Sequence, residues 1–260
     1  MNQMNAFLKD RYDMKTFNHV DLSTTIPDIQ TETIKGKRFY ITPEGKKYPS
    51  ITTVLSARKN EGLVRWRESV GDAVANNIMR GAAKRGTAVH TLVENYLNNE
   101  ELSKQDVLPV ALFTLLKPEL DNINSIRMQE GGLYSDKWEV AGRVDCIAEY
   151  KGKLSVIDFK TSTKEKQEQW IENYFIQGSA YCEMYEETFK EPIEQVVILI
   201  VTEDGAVQSF VKNKKDYLPL LGPAIKEFNE IFKTSDKIIF YYIIIFSNYK
   251  RSYCYTKCRT

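Results

Sequence analysis

Residues 142 to 161 read GRVDCIAEYKGKLSVIDFKT and place two carboxylates, Asp145 and Asp158, and an amine, Lys160, on what the residue alternation predicts to be neighbouring β-strands. Asp158 is embedded in LSVIDF and Asp145 in VDCIA. In such apolar settings an ionised carboxylate is costly unless it is paired or coordinates a metal. A hard divalent cation such as Mg2+ or Mn2+ takes carboxylate oxygens, keeps several waters and is commonly completed by the phosphate oxygens of a substrate. The two acids are therefore assigned to a metal.

The elements around the stretch must deliver that geometry. The segment alternates to Tyr150, Lys151-Gly152 offers a two-residue turn with glycine where positive φ is wanted, and alternation resumes at Lys153. With that turn Tyr150 faces Lys153, and Asp145 falls opposite Asp158. Cross-strand neighbours have Cβ atoms about 4.5–5.5 Å apart, where like charges repel, so a cation belongs between them. Lys160 shares the face of Asp158, while Ile157 and Phe159 turn to the other side.

Upstream, residues 1–36 read as a polar, aperiodic leader, and the PEG turn between Tyr40 and Tyr48 predicts a hairpin. Apolar residues at helical spacing predict helices from Glu61 to about Met79 (Leu63, Trp66, Val70, Val74, Ile78) and from Ala82 to Leu97 (Val89, Leu92, Val93, Tyr96). A helix near 108–124 and a strand over 126–134 lead into the acidic hairpin. Downstream, 165–187 reads as a helix, 194–201 as a buried strand and 214–232 as a helix. In the 165–187 helix, Trp170 and Tyr185 read as core-facing residues. Without internal repeats, the chain reads as one domain over 37–235, followed by a tail over 236–260 of atypical composition.

Composition bounds the partners. The 260 residues carry 36 Lys plus Arg against 35 Asp plus Glu, a net charge of +1, so any anionic partner must be met by a local patch. Four scattered cysteines do not make a disulfide scaffold, and the N-terminal residues show no apolar targeting core. The expected location is cytoplasmic. The apolar run IIFYYIIIF at 238–246 is too short to span a bilayer, and no membrane partner is expected.

GRVD at 142–145, IDFKT at 157–161, the helix carrying Gln177 and Tyr181 in QGSAY, and His90 in RGTAVHTLVENYL together resemble the RecB-like branch of the PD-(D/E)XK nuclease superfamily. Phage exonucleases and mitochondrial genome-maintenance exonucleases belong to the part of that branch this chain is most similar to. The resemblance covers roughly residues 48–235, with the four motifs in the expected order. It implies an α/β, restriction-endonuclease-like core in which a mixed central β-sheet is flanked by helices in the order αβββαβ.

It further implies that Asp145, Asp158, His90 and the backbone carbonyl of Phe159 ligate Mg2+, with Mn2+ able to substitute. Lys160 would polarise the attacking water and stabilise phosphate charge, and Gln177 and Tyr181 would complete the catalytic set. Gln177 and Tyr181 project together at i,i+4, and a glutamine within an aromatic stripe wants hydrogen-bond partners. The resemblance gives it a lysine-orienting or phosphate-contacting role. Glu130, on the preceding strand, is a second-tier candidate because Gly131 and Gly132 leave its register open.

For DNA, Arg80, Lys84 and Arg85 lie where the His90 helix is expected to begin, and helix N-termini favour anions. A second basic group, Arg65 with Arg58, Lys59 and Arg67, surrounds Trp66, and Trp66 or Tyr48 could stack on single strands or frayed ends. No GxxxxGK[ST] is present, so no ATP is expected. No cysteine precedes Cys146, so no iron–sulfur cluster is expected. The expected activity is a phage-encoded DNA exonuclease serving recombination, repair or replication, on DNA that is single-stranded or has free ends. An endonuclease of the same superfamily and a catalytically inactive DNA-binding scaffold are the alternatives.

Overall fold

Lys151 and Gly152 both take positive φ, 52° and 79°, and reverse the chain between strands Val140–Tyr150 and Lys153–Ser162. This is the turn the sequence predicts, and Tyr150 faces Lys153. The computed structural model describes residues 15–22, 24–58 and 61–234. The 236–260 tail, Cys254, Cys258, Lys59 and the first 14 residues lie outside the described residues.

In chain order, strands β1 (Gln30–Ile34), β2 (Lys37–Ile41) and β3 (Lys47–Pro49) precede helices α1 (Ile51–Ser56), α2 (Glu61–Val70), α3 (Asp72–Leu97) and α4 (Val107–Leu120). The main-sheet strands β4 (Ile123–Ser135), β5 (Val140–Tyr150) and β6 (Lys153–Ser162) follow, then α5 (Glu172–Phe189), β7 (Gln195–Thr202) and β8 (Val207–Asn213). A helical turn α6 (Lys214–Tyr217) and a helix α7 over 221–234 end the described chain. Pro219, which has no N–H to donate, sits in the 3-10 turn that interrupts the predicted 214–232 helix.

The main sheet runs in the order β4-β5-β6-β7-β8; β6 and β7 are parallel and all other neighbours antiparallel. Helices cover both faces, as the continuous apolar run VVILIV of β7 requires. On one side α5 packs Ile176 and Ala180 with Val156 and Ile198; on the other, Leu92 of α3 and Leu116 of α4 cover Ile157 and Leu199. This is the mixed, helix-flanked α/β sheet that the sequence predicts. Among the described residues no helix is long and apolar enough to cross a membrane.

Several boundaries differ from expectation. The stretch assigned to a polar leader contains β1, paired with β2, and Phe17, buried against Tyr96 with ring centroids 4.9 Å apart. β1 is largely exposed, so it carries no apolar alternation to betray it. The two upstream helices divide at Gly71, whose φ of 81° interrupts the helix, rather than near Gly81, which lies inside α3. Leu63, Val74 and Ile78, whose spacing predicted the helices, are exposed. The helix predicted from 165 starts at Glu172 after a 3-10 turn, Glu168–Trp170, and Trp170 on that turn is exposed, whereas Tyr185 is buried as expected.

Candidate active site

The hairpin register carries the two acids to one end of the paired region. Cys146 faces Ile157, the last pair of the β5–β6 ladder, so the next step directs Asp145 towards Asp158. Across β4 and β5, Gln129 faces Cys146 and Gly131 faces Val144, which sets Glu130 opposite Asp145. Glu130, Asp145 and Asp158 thus form a row over three adjacent strands. Neither the Glu130/Asp145 nor the Asp145/Asp158 pair joins its ladder. Glu130 has φ 46°, and Val144 and Cys146 pack into different cores, so the side-chain alternation breaks at this row. A non-glycine residue in the left-handed region stores strain of order 1 kcal/mol and is held there by its surroundings.

Each acid has a distinct environment. Asp145 Oδ2 accepts a hydrogen bond from the Phe159 N–H at 3.0 Å, which uses the backbone group left free where the ladder stops. Asp158 is buried, its Oδ1 accepts from Gln177 Nε2 at 3.2 Å, and its Oδ2 lies 2.5 Å from Lys160 Nζ. That close ion pair leaves Oδ2 without a partner in hydrogen-bond geometry. Burial pushes the Asp158 pKa up to about 6 against the pull of Lys160. For Lys160, burial works against the charge, but Asp158 and Asp145 outweigh it and hold the ammonium protonated.

His90 reaches this row from α3. Its Nε2 lies 2.7 Å from the Phe159 carbonyl, and donation there leaves Nδ1 turned towards Asp145 Oδ2 at 3.7 Å and Glu130 Oε1 at 3.9 Å. Burial disfavours a charge on the ring, yet Glu130 and Asp145 prevail and raise its pKa to about 9. The cluster therefore favours a positive charge in its midst. Ligand atoms of His90, Glu130 and Asp145 all lie within 4.8 Å of one another, a nitrogen–oxygen donor set that suits a divalent cation. Asp158 Oδ2, held by the Lys160 ammonium, stands outside that group of three, and the residues present fit such an ion.

The predicted residues do not all gather here. Asp145, Asp158, Lys160, His90 and Gln177 do, and Glu130 moves from an open register into the centre. The Phe159 carbonyl faces His90 Nε2. Tyr181 is buried against Gly142, where any Cβ would come within 2.7 Å of its ring and hydroxyl, so GRVD needs its glycine for that approach.

The basic residues fare differently. Because α3 begins at Asp72, Arg80, Lys84 and Arg85 sit within the helix rather than at its start, and the expected helix-end anion site is not theirs. Arg85 is paired with Glu203 and Lys84 lies 3.3 Å from Asp106. Arg80 and Arg65 are exposed, and Trp66 is half-buried on a helix with no buried residue among those described. Tyr48 is buried and donates to Asp136 Oδ1 at 2.6 Å, which removes it as a stacking face.

Two contributors escaped the sequence reading. Arg143, inside GRVD, donates through Nη1 to the Glu130 carbonyl at 3.0 Å and braces its unusual backbone. Glu94 lies one helical turn beyond His90, a spacing that could have drawn notice. Both line a cleft of about 610 Å3 with His90, Glu130, Gly86 and Thr87.

Residues 109–239 match the model of the PD-(D/E)XK nuclease superfamily. Mitochondrial genome maintenance exonuclease 1 of Homo sapiens is 25% identical over 174 residues, covering 61% of this chain and 50% of the relative. The Xenopus tropicalis protein of the same name is 30% identical over 173 residues, covering 61% and 49%. The chain thus spans about half the length of these relatives. The crystal structure of a candidate exonuclease from Eubacterium rectale overlaps 57% of this chain and 68% of its own at 12% identity and a TM-score of 0.41, too slight a likeness to bear weight. With the matched segment containing the whole acidic hairpin, the chain belongs to the PD-(D/E)XK nuclease superfamily, whose members are nucleases that use divalent metal ions.

Proposed function

We propose that this protein is a Mg2+-dependent DNA exonuclease. The observation that carries the reading is the row Glu130, Asp145 and Asp158, flanked by His90 Nδ1 and the Lys160 ammonium. A scaffold would gain nothing from three carboxylates brought together at the cost of their repulsion. His90, Glu130, Asp145 and Asp158 would hold the ion, with Mn2+ able to replace Mg2+. When bound, a divalent cation supplies Lewis-acid polarisation of the phosphate and of water.

The chain's own groups account for the rest. Lys160, fixed by Asp158, presents a compact ammonium to a non-bridging phosphate oxygen and to the attacking water. In hydrolysis a water oxygen bonds to phosphorus, the bond to the 3′ or 5′ oxygen breaks, and that oxygen takes up a proton. Gln177 holds Asp158 in place through Oδ1, and the Tyr181–Gly142 packing sets the approach of α5 to β5. Both are positioning residues. Exposed Arg80 and Arg65 with Trp66 remain candidate contacts for the flanking DNA, with Lys84 and Arg85 released from their present partners.

The names of the similar proteins support exonuclease action, and genome maintenance accords with work in recombination, repair or replication. A phage origin and a cytoplasmic location belong to the same reading; buried, unpaired Cys146 and Cys182 suit a reducing compartment. The test is digestion of 5′- and 3′-labelled single- and double-stranded linear DNA with Mg2+, Mn2+ or EDTA, for wild type, Asp158→Ala and Lys160→Ala. End-dependent loss of label that needs metal and both residues is expected. Nicking of closed circles at equal rate would make it an endonuclease, and binding without cleavage a scaffold.

A further inference from the structure

Tyr174, which packs against Lys160, also lines a second groove, about 680 Å3 in volume, that contains none of the catalytic or metal-holding residues named above. Its inner wall is Tyr174, whose ring centroid lies 5.2 Å from Lys160 Nζ. Its outer wall is Trp170, which is 63% exposed. An indole contributes to stability chiefly by burial, so one left this open serves the fold little.

The mounting of Trp170 is firm. The 3-10 turn closes with the Trp170 N–H donating to the Gln167 carbonyl at 2.9 Å, and the next residue, Ile171, is buried. The preceding loop is pinned by Gln208, whose side chain accepts from the Lys166 N–H at 2.8 Å and donates to the Lys166 carbonyl at 3.1 Å. Lys212 and Glu168 lie 2.5 Å apart across the same corner.

The charge of the groove is close to balanced. Arg58 and Lys166 line it together with Glu61 and Glu172, and Arg58 Nη1 lies 3.4 Å from Glu172 and donates to Asn173 at 2.8 Å. A wall of this kind offers little to a bare phosphate. It offers aromatic faces, and every nucleobase has a face to stack, whatever the sequence.

We propose that this groove is a nucleobase subsite: a strand whose phosphate lies at Asp158 and Lys160 runs past Tyr174, and an unpaired base near the scissile bond stacks on Trp170. The proposal rests on the nuclease reading and adds that the strand is single there, since both faces of a base within a duplex are already covered by neighbours. Trp170 is a specificity-determining contact, outside the catalytic set.

The test compares wild type, Trp170→Ala and Trp170→Phe by fluorescence anisotropy in EDTA, using a labelled oligothymidylate and an abasic oligonucleotide of equal length. Trp170→Ala is expected to bind oligothymidylate about 5-fold or more weakly, Trp170→Phe to retain most of the affinity, and all three to bind the abasic strand alike. The salt dependence should stay the same, since no phosphate contact is lost. Digestion of single strands should show a raised KM with little change in kcat. Equal binding of oligothymidylate by wild type and Trp170→Ala, or equal weakening on the abasic strand, would overturn the subsite. Because binding is read without metal, a protein that shows the base-dependent contrast but cuts no DNA refutes the nuclease reading and keeps the subsite; one that cuts normally without the contrast refutes the subsite alone.

Discussion

Glu130 stands opposite Asp145 across β4 and β5, on a left-handed backbone with φ 46° and outside the ladder that runs on either side of it. The register brings the two carboxylates together and the local distortion frees them to converge on His90. That convergence, more than any one acid, is what suits the site to a cation.

The cluster should therefore bind metal measurably in the absence of DNA. Mn2+ at a hundredfold excess over its Kd is expected to stabilise the wild type by about 2.7 kcal/mol in urea unfolding. Glu130→Gln should weaken Mn2+ by about tenfold or more in titration calorimetry. An unchanged affinity would remove Glu130 from the ligand set.

The Lys160–Asp158 pair should show stability and activity coming apart. Lys160→Met leaves Asp158 buried without its cation and is expected to cost about 3–5 kcal/mol. The double variant Lys160→Met with Asp158→Asn removes the orphaned charge and should recover most of that loss. It should nevertheless cleave no labelled DNA; if cleavage returned with stability, the pair would be structural only.

Gly142→Ala tests the contact beneath GRVD. An added Cβ would press on the Tyr181 ring and hydroxyl at 2.7 Å, both held in the core, so destabilisation of about 1–3 kcal/mol is expected. In a double-mutant cycle with Tyr181→Leu the two effects should be clearly non-additive. Additive values would mean that α5 shifts to accommodate the methyl group.

Away from the site, Arg127 and Tyr185 hold Glu191 below the usual carboxylate range, against some desolvation. A depressed folded pKa gives stability that is present above the unfolded carboxylate range, about pH 4.3, and lost as pH falls through the folded value. Glu191 is partly exposed, so solvent screening limits the gain to at most about 1 kcal/mol. Glu191→Gln should be less stable than wild type at pH 7, and the difference should shrink as pH falls below the carboxylate range; a difference that stays constant with pH would contradict the linkage.

The local, period-two relationships were legible in the sequence. GRVDCIAEY and KLSVIDFKT, joined by Lys151-Gly152, determine the hairpin and its register, and so the nearness of Asp145 to Asp158 and of Lys160 to Asp158. These follow from residues a few positions apart on one turn, where backbone geometry leaves little choice. The apolar run of β7 likewise announced a strand covered on both faces.

Packing decided the rest. Whether an apolar helical face is buried depends on what lies against it, and nothing local distinguishes Leu92, sealed in the core, from Ile78, left exposed on the same helix. The tertiary fold placed His90 over Phe159, aimed Gln177 at Asp158 and turned Glu130 inward. It also exposed Trp170 at the mouth of a groove. Each of these joins elements far apart in the chain, and their distances are set by how helices seat on a twisted sheet.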